Sequence, residues 1–216
     1  MTINYPNGRK FIKPERHAQT DAPSPKRKKK DYSFSNRGKT LEDELNETND
    51  FYLQRGLAIV HKKPVPLQIV KVEYPSRSAA VVREAYFRTP STTDYNGVWC
   101  GKYIDFEAKE TENKTSFPLK NVHDHQIVHM SQVSKAQGIA FLIIRFSALE
   151  RYFLLRYEAL EVFWERMLKG GRKSITLQEI EDTSIEIEPK AFPRLDYLPA
   201  LERLLNETRQ HESGEL

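Results

Sequence analysis

The spacing of apolar residues after residue 40 is that of a helix. Four residues recur along one helical face: Leu41, Leu45, Thr48 and Tyr52. Thr40 can cap this helix because Asp43 follows three residues later, as in a capping box. Gly56 supplies the stop, since glycine readily adopts the left-handed conformation that ends many helices. We therefore predict a helix between Thr40 and Gly56, followed by a short strand at 57–60.

Two pairs of β-favouring segments come next. The first pair, 68–74 and 80–87, is joined by a stretch of Pro, Ser and Arg that is typical of a turn. This pair is predicted to form a projecting hairpin. The second pair, 92–99 and 103–110, is predicted to form another two strands.

The second half of the chain alternates helical and strand patterns. A helix is predicted at 119–137, closed by Gly138, with one stripe formed by Val122, Gln126, Met130 and Val133. The run 139–146 is almost wholly apolar, which suits a central strand covered on both faces. A strand near 152–155 and helices at 157–169, 176–181 and 196–208 complete the body. The order predicts an α/β fold with a central mixed β-sheet flanked by helices and a protruding β-hairpin stalk.

Length and composition narrow the class of protein. At 216 residues the chain suits one globular domain with appendages. The single cysteine, Cys100, excludes a disulfide framework and a CxxC-type zinc site, and is typical of a reducing compartment. No run approaches the roughly 18 apolar residues of a membrane span, and no apolar signal core begins the chain. We expect a cytoplasmic protein with no membrane partner.

Positive charge is concentrated at the start of the chain. Residues 1–40 hold 11 Lys and Arg against 3 Asp and Glu, whereas the remainder holds 23 against 27. The run Lys26 to Lys30 lies in a polar, Pro-rich stretch without apolar periodicity. We predict a disordered basic arm at 1–37 and a folded domain at 38–216 that carries the hairpin at about 64–90. Such an arm is typical of a polyanion binder, although a solvated tail is an equal alternative.

The candidate catalytic residues lie between Ser91 and Glu110. Glu107 and Lys109 are two residues apart in a predicted strand, so their side chains leave the same face. If Cys100 and Gly101 form the centre of a tight turn, Asp94 lies directly opposite Glu107. Cross-strand Cβ atoms are then only about 4.5–5.5 Å apart.

A second turn signal competes with this register. Asn96-Gly97 is formally the better dipeptide for a two-residue hairpin turn, and it would place Asp94 opposite Trp99. That hairpin would be very short, and it would separate the Asp94 carboxylate from Glu107 and Lys109. The first register instead brings two carboxylates and a lysine together.

Two close carboxylates need a proton or a cation to coexist. Hard oxygen ligands without cysteine favour Mg²⁺ or Mn²⁺, which polarises a phosphoryl oxygen and generates a hydroxide nucleophile. Lys109 would add positive charge where the transition state develops negative charge. The alternative interpretation is that Asp105, Glu107, Lys109 and Glu110 merely decorate the solvent face of an edge strand, because Glu-x-Lys is short enough to occur by chance.

The wider pattern resembles a known family. The predicted order is a helix, then a hairpin that carries Asp94, Glu107 and Lys109, then a strand–helix–strand. This arrangement is similar to the core of the restriction-endonuclease superfamily. The stretch from Ile59 to Met130, with the opening NYPNG and the SNRG before the first helix, resembles the RecU family of Holliday junction resolvases, also labelled penicillin-binding-protein-related factor A.

This resemblance implies a restriction-endonuclease-like fold and a homodimer in which each subunit nicks one of two like-polarity strands of a four-way DNA junction. It implies Mg²⁺, with Mn²⁺ as a substitute, and metal ligands at Asp94, Glu107, Gln126 and a hydroxyl of the 91–93 run. Thr92 is favoured because it shares a strand face with Asp94, and Thr93 remains the alternative. Lys109 would stabilise the transition state. The implied setting is homologous recombination and DNA repair, with a recombinase and a branch-migration helicase as further partners.

Other charged groups have weaker assignments. Six cations in and beside the predicted hairpin are candidate DNA-binding residues: Lys62, Lys63, Lys71, Arg77, Arg83 and Arg88. Three histidines near residue 125 are typical of solvated or phosphate-contacting groups more than of a metal centre. The rival functions are a related endonuclease acting on duplex sites or repair intermediates, and a catalytically silent DNA-binding protein.

Overall fold

The computed structural model of the chain describes residues 39–76, 79–87 and 92–214, with side chains for 39–73, 80–86 and 92–206. The helices, numbered in chain order, are α1 Leu41–Arg55, α2 Asp124–Lys135, α3 Tyr157–Leu168, α4 Leu177–Thr183 and α5 Leu198–Gly214. The strands are β1 Ile59–Lys62, β2 Leu67–Ser76, β3 Ala79–Phe87, β4 Tyr95–Trp99, β5 Lys102–Thr111, β6 Ser116–Pro118, β7 Ile139–Phe146, β8 Arg151–Arg156, β9 Ser174–Thr176 and β10 Ile185–Ile187.

Helix α1 begins and ends where its sequence signals predict. The Thr40 hydroxyl accepts a hydrogen bond from the Asp43 amide, and the Asp43 carboxylate accepts one from the Thr40 amide in return, so the capping box is complete. Gly56 adopts φ 65° and ends the helix. Leu41, Leu45 and Tyr52 are buried, which confirms the predicted stripe.

Six strands form the central sheet in the order β1-β4-β5-β7-β8-β10. Neighbours in this sheet are antiparallel except β5 and β7, which are parallel, so the sheet is mixed. Every residue of β7 is buried, as predicted for a strand covered on both faces. Helices α1 and α5 pack on one face of the sheet, and α2 and α3 pack on the other. The predicted α/β architecture is confirmed.

Two smaller sheets lie outside this layer. The antiparallel pair β2-β3 is the predicted hairpin, and its described side chains are largely exposed. Pro75 and Ser76, which were predicted in the turn, belong to β2, and residues 77–78 and the predicted arm at 1–37 lie outside the described residues. The second pair, β6-β9, joins two three-residue strands that are distant in sequence. Among the described residues, no helix combines the length and apolarity that crossing a membrane requires.

Several predicted boundaries are wrong, each for a local reason. The strand expected at 57–60 is β1 Ile59–Lys62, because the chain leaves the Gly56 cap through Leu57 before it meets β4. The strand expected from residue 92 begins at Tyr95. The helix expected at 119–137 is a 3₁₀ turn, Leu119–Asn121, an extended Val122 and then α2. Strands β6, β9 and β10 were not predicted, since three residues carry no measurable period.

Candidate active site

The turn between β4 and β5 sets the register of the site. Trp99 pairs with Lys102, and Cys100 and Gly101 form the turn with φ 48° and 72°. Positive φ at both central residues is what a type I′ turn requires. Tyr95 pairs with Phe106, so the register that brings Asp94 to Glu107 is confirmed.

Asn96 and Gly97 lie inside β4 and do not form a turn. The glycine is required there for a different reason, because β1 passes close to its backbone. A Cβ atom on Gly97 would collide with the carbonyl oxygen of Ile59 and lie 2.7 Å from the Cα of Val60. The competing turn is therefore wrong, and the glycine serves strand packing.

Glu107 lies on the middle of the sheet and is fully buried. It is in register with Leu142 of β7, whose side chain belongs to the core beneath α2 and α3, so Glu107 faces the same side. The Asp94 amide donates a hydrogen bond to Glu107 Oε2 at 3.1 Å, and Lys109 Nζ lies 2.8 Å from Glu107 Oε1. The hairpin thus brings together the three residues that the motif predicted.

The electrostatics of Glu107 are dominated by its burial. Loss of water raises the pKa of Glu107 to about 7; Lys109 opposes this rise, and the Asp94 carboxylate adds to it. Such a carboxylate resists ionisation, and additional positive charge nearby would stabilise its ionised form. A bound cation would supply that charge.

The two candidate hydroxyl ligands are engaged differently. Thr93 is buried, and its hydroxyl donates a short hydrogen bond to Asp105 Oδ1 and accepts one from Lys63 Nζ at 3.0 Å. The Thr92 hydroxyl donates only to the neighbouring carbonyl of Thr93, at 3.2 Å. Thr92 is therefore the hydroxyl that remains able to accept a new interaction beside Asp94.

Gln126 lies in the first turn of α2 and is buried. Its Oε1 accepts a hydrogen bond from the His123 amide at 2.9 Å. An amide oxygen has two lone pairs, so this bond leaves one acceptor position. The residue sits on the helix that covers the Glu107 face of the sheet.

Asp105 is the residue whose importance the sequence did not reveal. We expected its carboxylate, at most, on a solvent face, but it is fully buried. It accepts hydrogen bonds from Lys63 Nζ at 2.7 Å, from the Tyr103 hydroxyl at 2.8 Å and from Thr93. Burial alone would raise the pKa of Asp105, but these donors together lower it below its ordinary value. The one available signal was its two-residue spacing from Glu107, which puts both side chains on one face.

Lys63 does not lie on the surface of the hairpin. Its ammonium points into the Asp105 cluster, where His129 Nε2 also lies 3.2 Å from Asp105 Oδ2. The Lys63 amide donates to the Asp94 carbonyl at 2.7 Å. The structure therefore gives Lys63 contacts that hold the Thr93–Asp94 segment in place, which its assignment to DNA binding did not anticipate.

The other candidate DNA-binding cations are dispersed. Lys62 forms an ion pair with Glu42 of α1. Lys71 and Arg83 are exposed on the hairpin and share Glu73, at 3.7 Å and 2.8 Å. Arg77 and Arg88 lie outside the described residues.

The histidines near α2 are not arranged as a metal centre. The rings of His123 and His125 stack, with centroids 5.5 Å apart, whereas His129 contacts Asp105. Within the described part of the chain, no group of three or more His, Cys, Asp or Glu side chains is placed to hold a metal ion. A site built from two carboxylates, a hydroxyl and an amide oxygen does not depend on such a group.

A mixed sheet with helices on both faces, and with a buried carboxylate–lysine pair on a central strand, is consistent with an α/β nuclease fold. The family model for "Recombination protein U" matches residues 36–203. The chain is 56% identical over 202 residues to "Holliday junction resolvase RecU" of Bacillus cereus strain B4264, covering 94% of this chain and 98% of that protein. Against the protein of the same name from Listeria welshimeri the identity is 51% over 204 residues, covering 94% and 99%. The chain belongs to the RecU family.

Proposed function

We propose that this chain is a Holliday junction resolvase, an endonuclease that cuts four-way DNA junctions in homologous recombination and DNA repair, and that it requires Mg²⁺. One observation carries the proposal. In a chain 51–56% identical to proteins that bear this name, a buried Glu107 on the central strand is held between the Asp94 amide and the Lys109 ammonium.

The donor atoms of the four proposed ligands are of the kind that a hard divalent cation binds. Asp94 and Glu107 would supply carboxylate oxygens, Thr92 a hydroxyl and Gln126 an amide oxygen. These are the ligand types that Mg²⁺ prefers, and Mn²⁺ accepts them as well. The raised pKa of Glu107 supports the same assignment, because a cation would hold this carboxylate in its charged form.

The chain contributes position and charge to the reaction. When bound, the metal polarises a phosphoryl oxygen and lowers the pKa of a water molecule. Lys109 lies beside Glu107 with most of its side chain buried, and in this proposal its charge would stabilise the negative charge that develops on the phosphoryl group. Asp105 and Lys63 hold the Asp94 segment against β5.

DNA recognition is assigned to surfaces outside this pocket. Lys62, Lys71 and Arg83, together with Arg77 and Arg88, would contact phosphates along the hairpin side of the domain. Two subunits would act as a homodimer, since a junction carries two like-polarity strands that must both be cut. A recombinase and a branch-migration helicase are the proposed protein partners.

The test is cleavage of a synthetic four-way junction compared with a linear duplex of matched sequence, with Mg²⁺, with Mn²⁺ and with chelator. We expect paired nicks in the junction with either metal, no cleavage in chelator and little cleavage of the duplex. Equal cutting of the duplex would indicate a related duplex endonuclease. Junction binding without cleavage under any condition would indicate a silent DNA-binding protein.

Variants of the two carboxylates complete this experiment. Asp94→Asn and Glu107→Gln should abolish nicking and leave junction binding within a few fold, because they remove metal ligands and no phosphate contact. Glu112→Gln is the control, since Glu112 is exposed and follows the same strand. Nicking by either carboxylate variant at the parental rate would remove the proposed site.

A further inference from the structure

The small β6-β9 sheet lies just beyond the end of the candidate catalytic strand. Strand β5 ends at Thr111, two residues after Lys109, and β6 begins at Ser116. The Leu119 amide donates a hydrogen bond to the Lys173 carbonyl at 3.1 Å. The β6-β9 pairing therefore continues past the end of β6 and the start of β9. Lys120 and Arg172 consequently flank the same end of this ribbon.

Four exposed cations are borne on or beside this ribbon: Lys114, Lys120, Arg172 and Lys173. None of them has a carboxylate of the described chain within 4.0 Å. In the rest of the body most basic side chains are neutralised; Arg151 and Arg166, for example, pair with glutamates at 2.5 Å.

Within the described residues 92–206, basic side chains without an ion-pair partner are concentrated on the ribbon. Between residues 92 and 206, seven Lys and Arg side chains lack an ion-pair partner among the described residues: Lys102, Lys114, Lys120, Lys135, Arg172, Lys173 and Arg203. Four of these seven belong to the ribbon. Residues 41–216 carry more Asp and Glu than Lys and Arg, so the positive charge of the ribbon is opposite in sign to the net charge of this part of the chain.

The ribbon is continuous with the candidate active site. The 3₁₀ turn Leu119–Asn121 leads through Val122 directly into α2, whose first turn carries Gln126. On the other side, the loop from Thr111 to Ser116 connects the ribbon to the strand that carries Glu107 and Lys109. The four ribbon cations therefore lie beyond the Thr111 end of the strand that carries Lys109, next to the segment that leads into α2.

We propose that the β6-β9 ribbon is a phosphate-contacting surface that supports the duplex arm of the DNA next to the cleavage site. The inference rests on the proposed function and extends it by assigning an arm-binding surface distinct from the hairpin. A duplex advances about 3.4 Å per base pair, so ten base pairs beyond the scissile phosphate extend about 34 Å and must lie over some part of the body. Lysine and arginine on a short ribbon contact phosphates and do not read bases.

The experiment compares two double variants that each remove two positive charges. Lys120→Ala/Arg172→Ala alters the ribbon. Arg55→Ala/Arg203→Ala alters exposed arginines on α1 and α5, on the opposite face of the sheet. Binding of a four-way junction with 15-base-pair arms is titrated by fluorescence anisotropy at several salt concentrations, without divalent metal.

The ribbon variant should lower the slope of log affinity against log salt by about 1.8, since each lost phosphate contact lowers it by about 0.9. The control variant should keep the parental slope. On a junction whose arms are shortened to about 5 base pairs, which offer fewer phosphates beyond the cleavage site, the ribbon variant should lower the slope less than it does on 15-base-pair arms. Both variants should unfold at the parental melting temperature, because the substituted side chains are exposed. Thermal unfolding checks that the fold is intact.

Two outcomes would overturn the inference. One is a parental salt slope in the ribbon variant, which would assign these cations to another anionic partner such as an acidic protein segment. The other is an equal loss on long and short arms, which would place the effect at the junction centre. Failure of the proposed function is distinguishable, because in that case the parental protein itself would not cut the junction.

Discussion

At the scale of single residues, Lys109 offers the most direct test of transition-state stabilisation. Its ammonium lies 2.8 Å from Glu107 Oε1, and its side chain is 19% exposed, so solvent screens its charge only partly. We expect Lys109→Ala to lower the cleavage rate about 10² to 10³-fold with junction affinity nearly unchanged, as for loss of a group that acts in the transition state. Single-turnover kinetics with saturating enzyme measure this rate.

Lys102→Ala is the control for Lys109, because Lys102 begins the same strand and is exposed. It should cleave at the parental rate. An unchanged rate constant in Lys109→Ala would show that this lysine only balances the charge of Glu107.

Asp105 is expected to contribute to stability more than any exposed carboxylate of the chain. Replacing it with alanine leaves the Lys63 ammonium, only 18% exposed, without its carboxylate, and removes the acceptor of Thr93 and Tyr103. Breaking a buried ion pair in this way costs about 3–5 kcal/mol of unfolding free energy. Urea unfolding without metal measures the loss.

Asp50→Ala, on the exposed side of α1, provides the reference and should change stability by about 0.5 kcal/mol or less. Asp105→Asn should lie between the two, since an amide oxygen still accepts hydrogen bonds but carries no charge. If Asp105→Ala unfolded at the same urea concentration as Asp50→Ala, the cluster would contribute nothing to folding.

At the scale of elements, the β1-β4 pair depends on Gly97. A methyl group there would meet the backbone of Ile59 and Val60, which cannot move without separating the two strands. Gly97→Ala should therefore reduce both stability and cleavage, because the end of β1 also carries the Lys63 amide that holds the Asp94 carbonyl. Denaturant unfolding and junction nicking are the two measurements.

Gly101→Ala is the matched comparison for Gly97→Ala. A Cβ at Gly101 would meet nothing within 4 Å, and the only cost is its φ of 72°. That conformational cost is about 1 kcal/mol. An equal effect of both substitutions would mean that β1 can shift freely past β4.

At the scale of the whole molecule, the basic N-terminal segment and the hairpin are expected to contribute differently to DNA binding. Deleting residues 1–32, which hold most of the excess positive charge, should weaken binding to junction and duplex alike and flatten the salt dependence. Lys71→Ala/Arg83→Ala on the hairpin should instead lower the preference for junction over duplex, because these exposed cations lie on a two-stranded sheet separate from the central sheet. Competition titrations of junction against duplex at several salt concentrations separate these effects.

Glu84→Gln, which changes an exposed carboxylate on the same strand as Arg83, controls for disturbance of the hairpin. A parental junction-to-duplex ratio in the Lys71/Arg83 variant would assign selectivity to the geometry of two subunits and not to the hairpin.

Much of the fold follows from local signals in the sequence. Helix α1 is specified by its capping box and Gly56, and β7 by a run of eight residues that is almost wholly apolar. The hairpin follows from two neighbouring runs of β-favouring residues, which form β2 and β3 and pair with each other. These features involve neighbours within a few residues of one another, so the amino-acid order alone determines them.

Tertiary structure decided what depends on partners far along the chain. Asn96-Gly97 has the better local turn chemistry, yet the turn forms at Cys100-Gly101 because β1 needs the glycine at 97 for its close approach. Asp105 is buried and Lys63 turned inward because α2 covers this face of the sheet and excludes the water that would otherwise solvate both charges. The spacing of residues along a strand determined which side chains share a face of the sheet. The packing of elements distant in sequence determined which face is shielded from water.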